Sequence, residues 1–294
     1  MPEVYNEIYI ALRKRLKKAG IEQYGMEARL LIQTASGKTK EEFCRDLRLY
    51  ASDATAARVR ELAERREKGE PLAYITGEWE FYGLPMAVTR DVLIPRTDTE
   101  VLAEAAILYA KAVGPCRILD LCSGSGCIGI AVAANVPGCR VVLTDISEQA
   151  LRVSRINILK NQVSSRVTAV RADALQNPPL LLGNFDVIVC NPPYIPTGDI
   201  EGLDSSVREY EPAAALDGGA DGLEFYRSIL SLWTKILKPG GCLMFECGAG
   251  QAESVRALMR LNGFEDVRTL KDTLDIERVV AARKITKNTE DHEV

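Results

Sequence analysis

Histidine is almost missing from this chain of 294 residues: the one example, His292, lies within the last three positions. A Ser-His-Asp triad, a histidine general base and a histidine-ligated metal therefore have no candidate member, and many hydrolases and metalloenzymes fall away. No metal site is expected. Paired cysteine spacings are missing too. Eight cysteines, at positions 44, 116, 122, 127, 139, 190, 242 and 247, are scattered through apolar stretches with no C-x-x-C. They read as small buried hydrophobes of a reducing compartment rather than as zinc ligands or disulfide partners. No apolar run reaches the ~18 residues of a membrane span, and Met1-Pro2-Glu3 does not begin a basic-then-apolar leader. The expectation is a cytoplasmic protein that needs no membrane. Positive charge is not in excess either: 37 Lys and Arg against 41 Asp and Glu give a net charge of −4. That balance argues against a protein whose main work is to grip a phosphate backbone, so a protein or small-molecule substrate is favoured.

What is present suits a globular protein of a main domain and a smaller one, with 47% hydrophobic and 27% charged residues. Helical spacing fills the first seventy or so positions: Val4, Ile8, Leu12 and Leu16 form one stripe, then Ala28, Leu31 and Ile32, then Val59, Leu62 and Ala63. Arg13, Lys14, Arg15, Lys17 and Lys18 occupy the other face of the first helix, either as a solvated face or as a docking surface for an acidic or RNA-bound partner. Across 74–92 the period changes to that of a β-hairpin, with turn residues at Gly77 and Gly83-Leu84-Pro85. The expected division is a helical domain over 1–72, a hairpin linker over 73–95, a main domain over 96–284 and a polar tail over 285–294.

In the main domain strands over 117–121, 140–144, 167–171, 185–190 and 241–247 alternate with helices over 125–134, 147–160, 221–236 and 249–262. Continuous apolar strands between helices imply an α/β fold with a mostly parallel sheet covered on both faces. The segments around Val267 and 277–283 read as antiparallel strands at one edge.

The chemistry concentrates at four strand ends. Asp120-Leu121-Cys122-Ser123-Gly124-Ser125-Gly126 leads a buried strand through a glycine turn into a helix, where bare backbone amides approach a ligand closely. Gly124, Gly126 and Gly129 also satisfy G-x-G-x-x-G, and Asp145 ends the next strand, where a carboxylate meets ribose hydroxyls or caps the helix near Ser147. These features suit either a nicotinamide dinucleotide or S-adenosylmethionine. Asp173, beside Ala174 after the third strand, is placed to reach an adenine amine or to act as a loop aspartate.

Asn191-Pro192-Pro193-Tyr194 separates the alternatives. Two prolines fix the backbone and stop the strand, so the Asn191 side-chain oxygen and the Pro192 carbonyl are held outward as two acceptors, with Tyr194 as a flat neighbour. Such a cradle suits the N–H groups of a primary amide or an exocyclic aromatic amine. It has no role in hydride transfer. The chemistry that fits is displacement on the methyl of a sulfonium, helped by positioning rather than by a strong base.

The same turn, together with Pro71-Leu72-Ala73-Tyr74-Ile75-Thr76-Gly77, Glu80-Phe81-Tyr82-Gly83-Leu84, Leu93-Ile94-Pro95-Arg96-Thr97-Asp98-Thr99-Glu100, Tyr210-Glu211-Pro212-Ala213-Ala214-Ala215-Leu216 and Glu246-Cys247-Gly248-Ala249-Gly250-Gln251, resembles class I S-adenosylmethionine-dependent methyltransferases. More narrowly, the chain is similar to the HemK/PrmC family of peptide chain release factor glutamine methyltransferases. The resemblance implies a Rossmann-like class I methyltransferase fold and a helical N-terminal domain that recognises substrate. It implies transfer of a methyl group from S-adenosylmethionine, leaving S-adenosylhomocysteine, to the side-chain amide of the glutamine in the Gly-Gly-Gln loop of class I release factors. By position, Asp120, Cys122, Ser123, Gly124, Ser125, Gly126, Asp145, Asp173 and Ala174 then face the cofactor, with Asn191 at its edge. Asn191, Pro192, Pro193 and Tyr194 hold glutamine, the first two and Tyr194 as catalytic groups. Ala174 stands where the family often has an aromatic, and Thr97 where it commonly has proline; Thr97 with Glu100 also spells a helix capping box. An adenine methyltransferase acting on a flipped base of DNA or RNA is the alternative, opposed by the net charge of −4 and by the lack of an added basic domain.

Overall fold

The computed structural model describes residues 3–286; His292 and most of the polar tail lie outside the described residues. Two compact units result, one reaching to Glu78 and taking in Ser205–Tyr210, the other running from Trp79 to Asp204 and onward from Glu211. Among the described residues, no helix is long and apolar enough to cross a membrane.

The first unit holds α1 (Tyr5–Lys18), α2 (Tyr24–Ser36), α3 (Lys40–Arg45), α4 (Asp53–Glu67) and α5 (Leu72–Thr76). The stripes foreseen in the sequence meet in one core, including Ile8, Leu12, Leu16, Leu31, Ile32, Val59 and Leu62. Val4 departs from its stripe. It stands extended ahead of α1, its N–H donates to Glu7 at 3.2 Å, and Tyr5 takes the buried place. The basic face of α1 is partly engaged: Arg15 pairs with Glu67 at 2.6 Å, and Arg13 lies over the rings of Tyr9 and Tyr24 at 5.4 and 5.7 Å. A bidentate pair between Arg66 and Glu27, at 2.6 and 3.2 Å, ties α4 to α2.

The hairpin is shorter than its β-rich composition suggests. Tyr74 and Ile75 fall in α5, where Leu72, Ala73, Tyr74 and Ile75 are all buried and Gly77, at φ +74°, ends the turn left-handed. Burial has overridden strand propensity there. The hairpin itself is β1 (Glu78–Phe81) and β2 (Leu84–Ala87), turned by Tyr82 and Gly83, both at positive φ. Positive φ at both central residues is what a tight right-twisted hairpin requires.

The second unit continues with α6 (Glu100–Val113), a helix missing from the sequence reading although Leu102, Ala103, Ala106, Ile107 and Ala110 mark its buried stripe. Then come β3 (Arg117–Leu121), α7 (Cys127–Asn135), β4 (Arg140–Asp145), α8 (Glu148–Lys160), β5 (Val167–Arg171) and β6 (Phe185–Cys190). After α9 (Ser205–Arg208), which belongs to the first unit, follow α10 (Glu224–Leu232), β7 (Leu237–Glu246), α11 (Ala252–Leu261), β8 (Phe264–Lys271) and β9 (Glu277–Lys284). The expected capping box does not form. Thr97 begins a 3-10 turn without a side-chain cap, and Glu100 instead accepts the Tyr82 N–H at 2.8 Å, anchoring the hairpin turn.

Seven strands form one sheet in the order β5-β4-β3-β6-β7-β9-β8. The first five are parallel, and β9 runs antiparallel to both β7 and β8. Alternating residues serve two cores: Ile118, Val141, Val187 and Met244 pack with α6 and α7, whereas Leu119, Ile188, Leu243 and Phe245 pack with α10 and α11. The chain leaves β3 in one direction and β6 in the other, so a crevice opens at the carboxyl ends between them. Asn157, fully buried on α8, spans the near side: it exchanges hydrogen bonds with Ala87 of β2 at 2.6 and 3.0 Å and donates to the Ser125 carbonyl at 2.9 Å.

Helix α7 lies close on the sheet because Gly129 has no side chain; a Cβ there would stand 2.3 Å from Leu143 Cδ2 and 2.9 Å from Val141 Cγ1. Both neighbours are packed core atoms, so Gly129→Ala is expected to lower stability by about 1–3 kcal/mol. Urea unfolding measures it, and an unchanged midpoint would contradict the close packing.

Candidate active site

Register brings the sequence motifs to one edge. Leu121 pairs with Cys190 and with Thr144, and Cys190 pairs with Phe245. Cys122, Asp145, Asn191 and Glu246 therefore stand side by side at successive strand ends. The two-residue period of the strands turns Asp120, Asp145, Asn191 and Glu246 to the same face. Asp173 follows β5 farther along this edge.

The loop after β3 coils tightly, with Cys122, Gly124 and Gly126 at φ +59°, +53° and +79°. A non-glycine residue in this region stores strain, which the surroundings must hold. Asp145 supplies one restraint: its Oδ2 accepts the Gly124 N–H and its Oδ1 the Ser147 N–H, both at 2.9 Å. Ser147 itself caps α8. Each carboxylate oxygen keeps acceptor capacity beyond one bond. Asp120 is fully buried; its Oδ2 accepts the Gly129 N–H at 2.8 Å, while its Oδ1 and the buried Ser123 Oγ have no hydrogen-bond partner. Burial pushes the Asp120 carboxyl up to about 7, with the Asp145 carboxylate adding to it. Asp173 Oδ1 accepts the Leu175 N–H at 2.8 Å, and the Ala174 carbonyl turns inward to Ser228 and Trp233. Ile146, 51% exposed, places an apolar side chain beside Asp145.

This donor set answers the question left open between two cofactors. A pyrophosphate brought to the loop would face the buried Asp120 carboxyl, an unfavourable encounter of like charges once it is ionised. S-adenosylmethionine, with its ammonium, its sulfonium and a ribose diol, matches unpartnered acceptors and strand-end carboxylates.

Across the crevice the chain turns at Pro192 and Pro193, both buried. The turn is clasped from behind. A Cβ at Gly218 would lie 2.7 Å from Tyr194 Cα, and one at Gly222 2.3 Å from the Tyr194 carbonyl oxygen. Gln251 Nε2 donates to that same carbonyl at 2.8 Å, while its Oε1 accepts the Gly248 N–H at 2.9 Å. The Ile195 N–H donates to the Leu216 carbonyl at 3.0 Å, and the Gly218 N–H to the Ile195 carbonyl at 2.8 Å. Burial, with a contribution from Glu246, pushes the Tyr194 hydroxyl up to about 12, so the ring stays neutral.

The sequence over 7–77 matches the PrmC N-terminal domain family and that over 99–202 the methyltransferase small domain family. The release factor glutamine methyltransferase of Geobacter sulfurreducens is 42% identical over 271 residues, covering 92% of this chain and 93% of its own length. The chain belongs to the release factor glutamine methyltransferase family. The Caulobacter vibrioides member is 37% identical, over 94% of this chain and 95% of its own. In fold, the chain is similar to the hMettl16 catalytic domain, solved with a 3′UTR hairpin: the TM-score is 0.54 at 18% identity, over 79% of this chain and 82% of that one. Like other members of its family, the protein has the class I S-adenosylmethionine-dependent methyltransferase fold.

Some family segments quoted above have roles that the sequence did not disclose. The 93–100 segment is a strap: Arg96 pairs with Glu211, Asp98 with Arg278 at 2.9 Å, and the Thr99 hydroxyl accepts Asn191 Nδ2 at 3.3 Å. Thr99, Glu246 and Gln251 touch the Asn-Pro-Pro-Tyr turn or its neighbours, yet no spacing rule links them to it.

A carboxyl raised on folding holds its proton more tightly in the native state, so its contribution to stability falls as pH rises from its unfolded to its folded value. For Asp120 that window runs from 3.8 to about 7. Relative to Asp120→Asn, the unliganded wild type should therefore lose stability between about pH 4 and pH 7; parallel pH profiles of the thermal midpoint would contradict the buried, unpartnered carboxyl.

Proposed function

We propose that Asn191, Pro192, Pro193 and Tyr194 hold the substrate glutamine, and that Asp120, Cys122, Ser123, Gly124, Ser125 and Gly126, with Asp145, Asp173 and the chain at Ala174, hold S-adenosylmethionine. The protein methylates the side-chain amide of a release-factor glutamine, as its family does. The observation that carries the site assignment is the rigid acceptor turn after β6, clasped by Gly218, Gly222 and Gln251 next to the glycine loop.

When bound, the cofactor supplies a methyl group on a positively charged sulfur. Everything else falls to the protein. Asp120 Oδ1 and Ser123 Oγ are positioned as acceptors for the ammonium end, and Asp145 for the ribose, with Ile146 as an apolar platform. The Asn191 side-chain oxygen and the Pro192 carbonyl each accept one amide N–H. That pairing aims the nitrogen and concentrates electron density on it, offsetting the delocalisation that makes an amide a weak nucleophile. Tyr194 packs on the flat group as a neutral ring. The helical unit, matching the PrmC N-terminal family, supplies the surface that recognises the release factor.

Asn191→Ala is expected to lower turnover by about a hundredfold or more, with cofactor affinity within a few fold of wild type. Steady-state kinetics with isothermal titration checks both, and near-normal turnover would remove the assignment. Asp145→Ala should act in reverse, weakening cofactor binding by about 1–3 kcal/mol through lost hydrogen bonds; an unchanged dissociation constant refutes that role. The substrate class is tested by offering labelled S-adenosylmethionine with either a release factor or unmethylated DNA. Label on the tryptic peptide containing the Gly-Gly-Gln glutamine supports the reading, and label on DNA overturns it.

A further inference from the structure

The acceptor end of Asn191 is not selected by the proline turn. A side-chain amide has nearly the same shape either way round, and its hydrogen-bond partners alone decide which end points where. Asn191 Nδ2 donates to Thr99 Oγ1 at 3.3 Å. A hydroxyl both donates and accepts, so Thr99 by itself would receive either end. Glu246 is different. Its backbone stands next to Asn191, because Cys190 and Phe245 are paired at the ends of β6 and β7. Glu246 is 3% exposed, its Oε2 has no hydrogen-bond partner, and the nearby Thr99 hydroxyl and Asn191 amide favour its ionised form.

A buried carboxylate without a salt bridge is costly, and among the described residues Glu246 has no ion pair. Arg278, which faces it from β9, is engaged by Asp98 and Asp272, each at 2.9 Å. Arg96 is engaged by Glu211. When ionised, Glu246 provides an acceptor that cannot donate. It attracts the NH2 end of Asn191 and repels the oxygen.

We propose that Glu246 is a positioning residue for methyl transfer: its carboxylate, directly and through Thr99, holds Asn191 with Nδ2 inward and Oδ1 toward the glutamine amide. The inference rests on the reading of Asn191 given above. It explains why an acidic residue sits in an apolar strand end, and it makes the acceptor character of the site conditional on ionisation of Glu246. The groups around that carboxyl are Asp98 and Thr99 ahead of α6, Asn191 and Tyr194 after β6, Tyr226 on α10, Arg278 on β9, Cys127 on α7 and Cys247 just after β7. Burial pushes it up to about 7, against the pull of Thr99, Arg278 and Asn191, with Asp98 adding to the rise. Below that pH the acid gains an O–H that can bond to Asn191 Oδ1, and the amide turns over.

The test uses the full chain with a release factor as substrate. Turnover of the wild type should rise with pH through an acid limb near 7. Glu246→Gln, the same shape with a donor, should lose about ten- to a hundredfold in kcat and lose the limb, because misaimed groups cost on that order. Cofactor affinity by titration should stay near wild type, the thermal midpoint at neutral pH should not fall below it, and Thr99→Ser should retain both turnover and limb. A Glu246→Gln enzyme with wild-type kcat, or one that keeps the acid limb, overturns the proposal while an inactive Asn191→Ala leaves the site assignment standing. If Glu246→Gln does not fold, a wild-type profile that is flat between about pH 6 and pH 8 overturns it alone. Turnover retained by Asn191→Ala would instead remove the reading beneath it.

Discussion

The close approach of glycine backbone to Pro193 and Tyr194 is the contact on which the rest of the site depends. A methyl group at Gly218 or Gly222 would fall within 2.7 and 2.3 Å of Tyr194 backbone atoms, far inside van der Waals range, so the loop over 216–222 can lie against the turn only where side chains are absent. With the loop in place, the Ile195 and Gly218 amides are satisfied across it, and the turn has no route to relax. On the proposed reading, rigidity at this point matters because a two-acceptor site works by aim: each ångström of freedom would be taken from the alignment of a weak nucleophile.

Parallel pairing then does the assembling. Asp145, Cys122, Asn191 and Glu246 come from distant parts of the sequence, yet one row of strand ends collects them. The strand order reverses between β3 and β6, and the crevice opens there because no helix crosses from one to the other on that edge. Buried carboxyls at the edge have opposing effects. Asp120 and Glu246 both pay for desolvation, and each keeps an oxygen without a partner. Natural chains accept such local cost where a ligand or a geometry requires it.

Much of this was legible in the sequence for identifiable reasons. Parallel strands such as 187–190 are continuous apolar runs, and the Asn191-Pro192-Pro193-Tyr194 break is abrupt, so both stand out from composition. The glycine loop and Asp145 follow from their places at consecutive strand ends. Other features were hidden because they depend on partners far along the chain. Thr97 and Glu100 have capping-box spacing, but Glu100 is taken by the Tyr82 amide eighteen positions away. Tyr74 and Ile75 have strand propensity, but Pro71 and Gly77 frame a short buried helix around them. Glu246 looks like a polar end to an apolar strand, and only the pairing of β6 with β7 reveals that it lies beside Asn191.

Asn157 has one further consequence. Its single carboxamide bonds on one side to the hairpin strand at Ala87 and on the other to the carbonyl of Ser125 in the glycine loop. Hairpin and loop thus share a strut with no slack, buried where water cannot substitute for a broken bond. Slow amide exchange should be lost from both segments together rather than in turn, since both are held through the one Asn157 side chain.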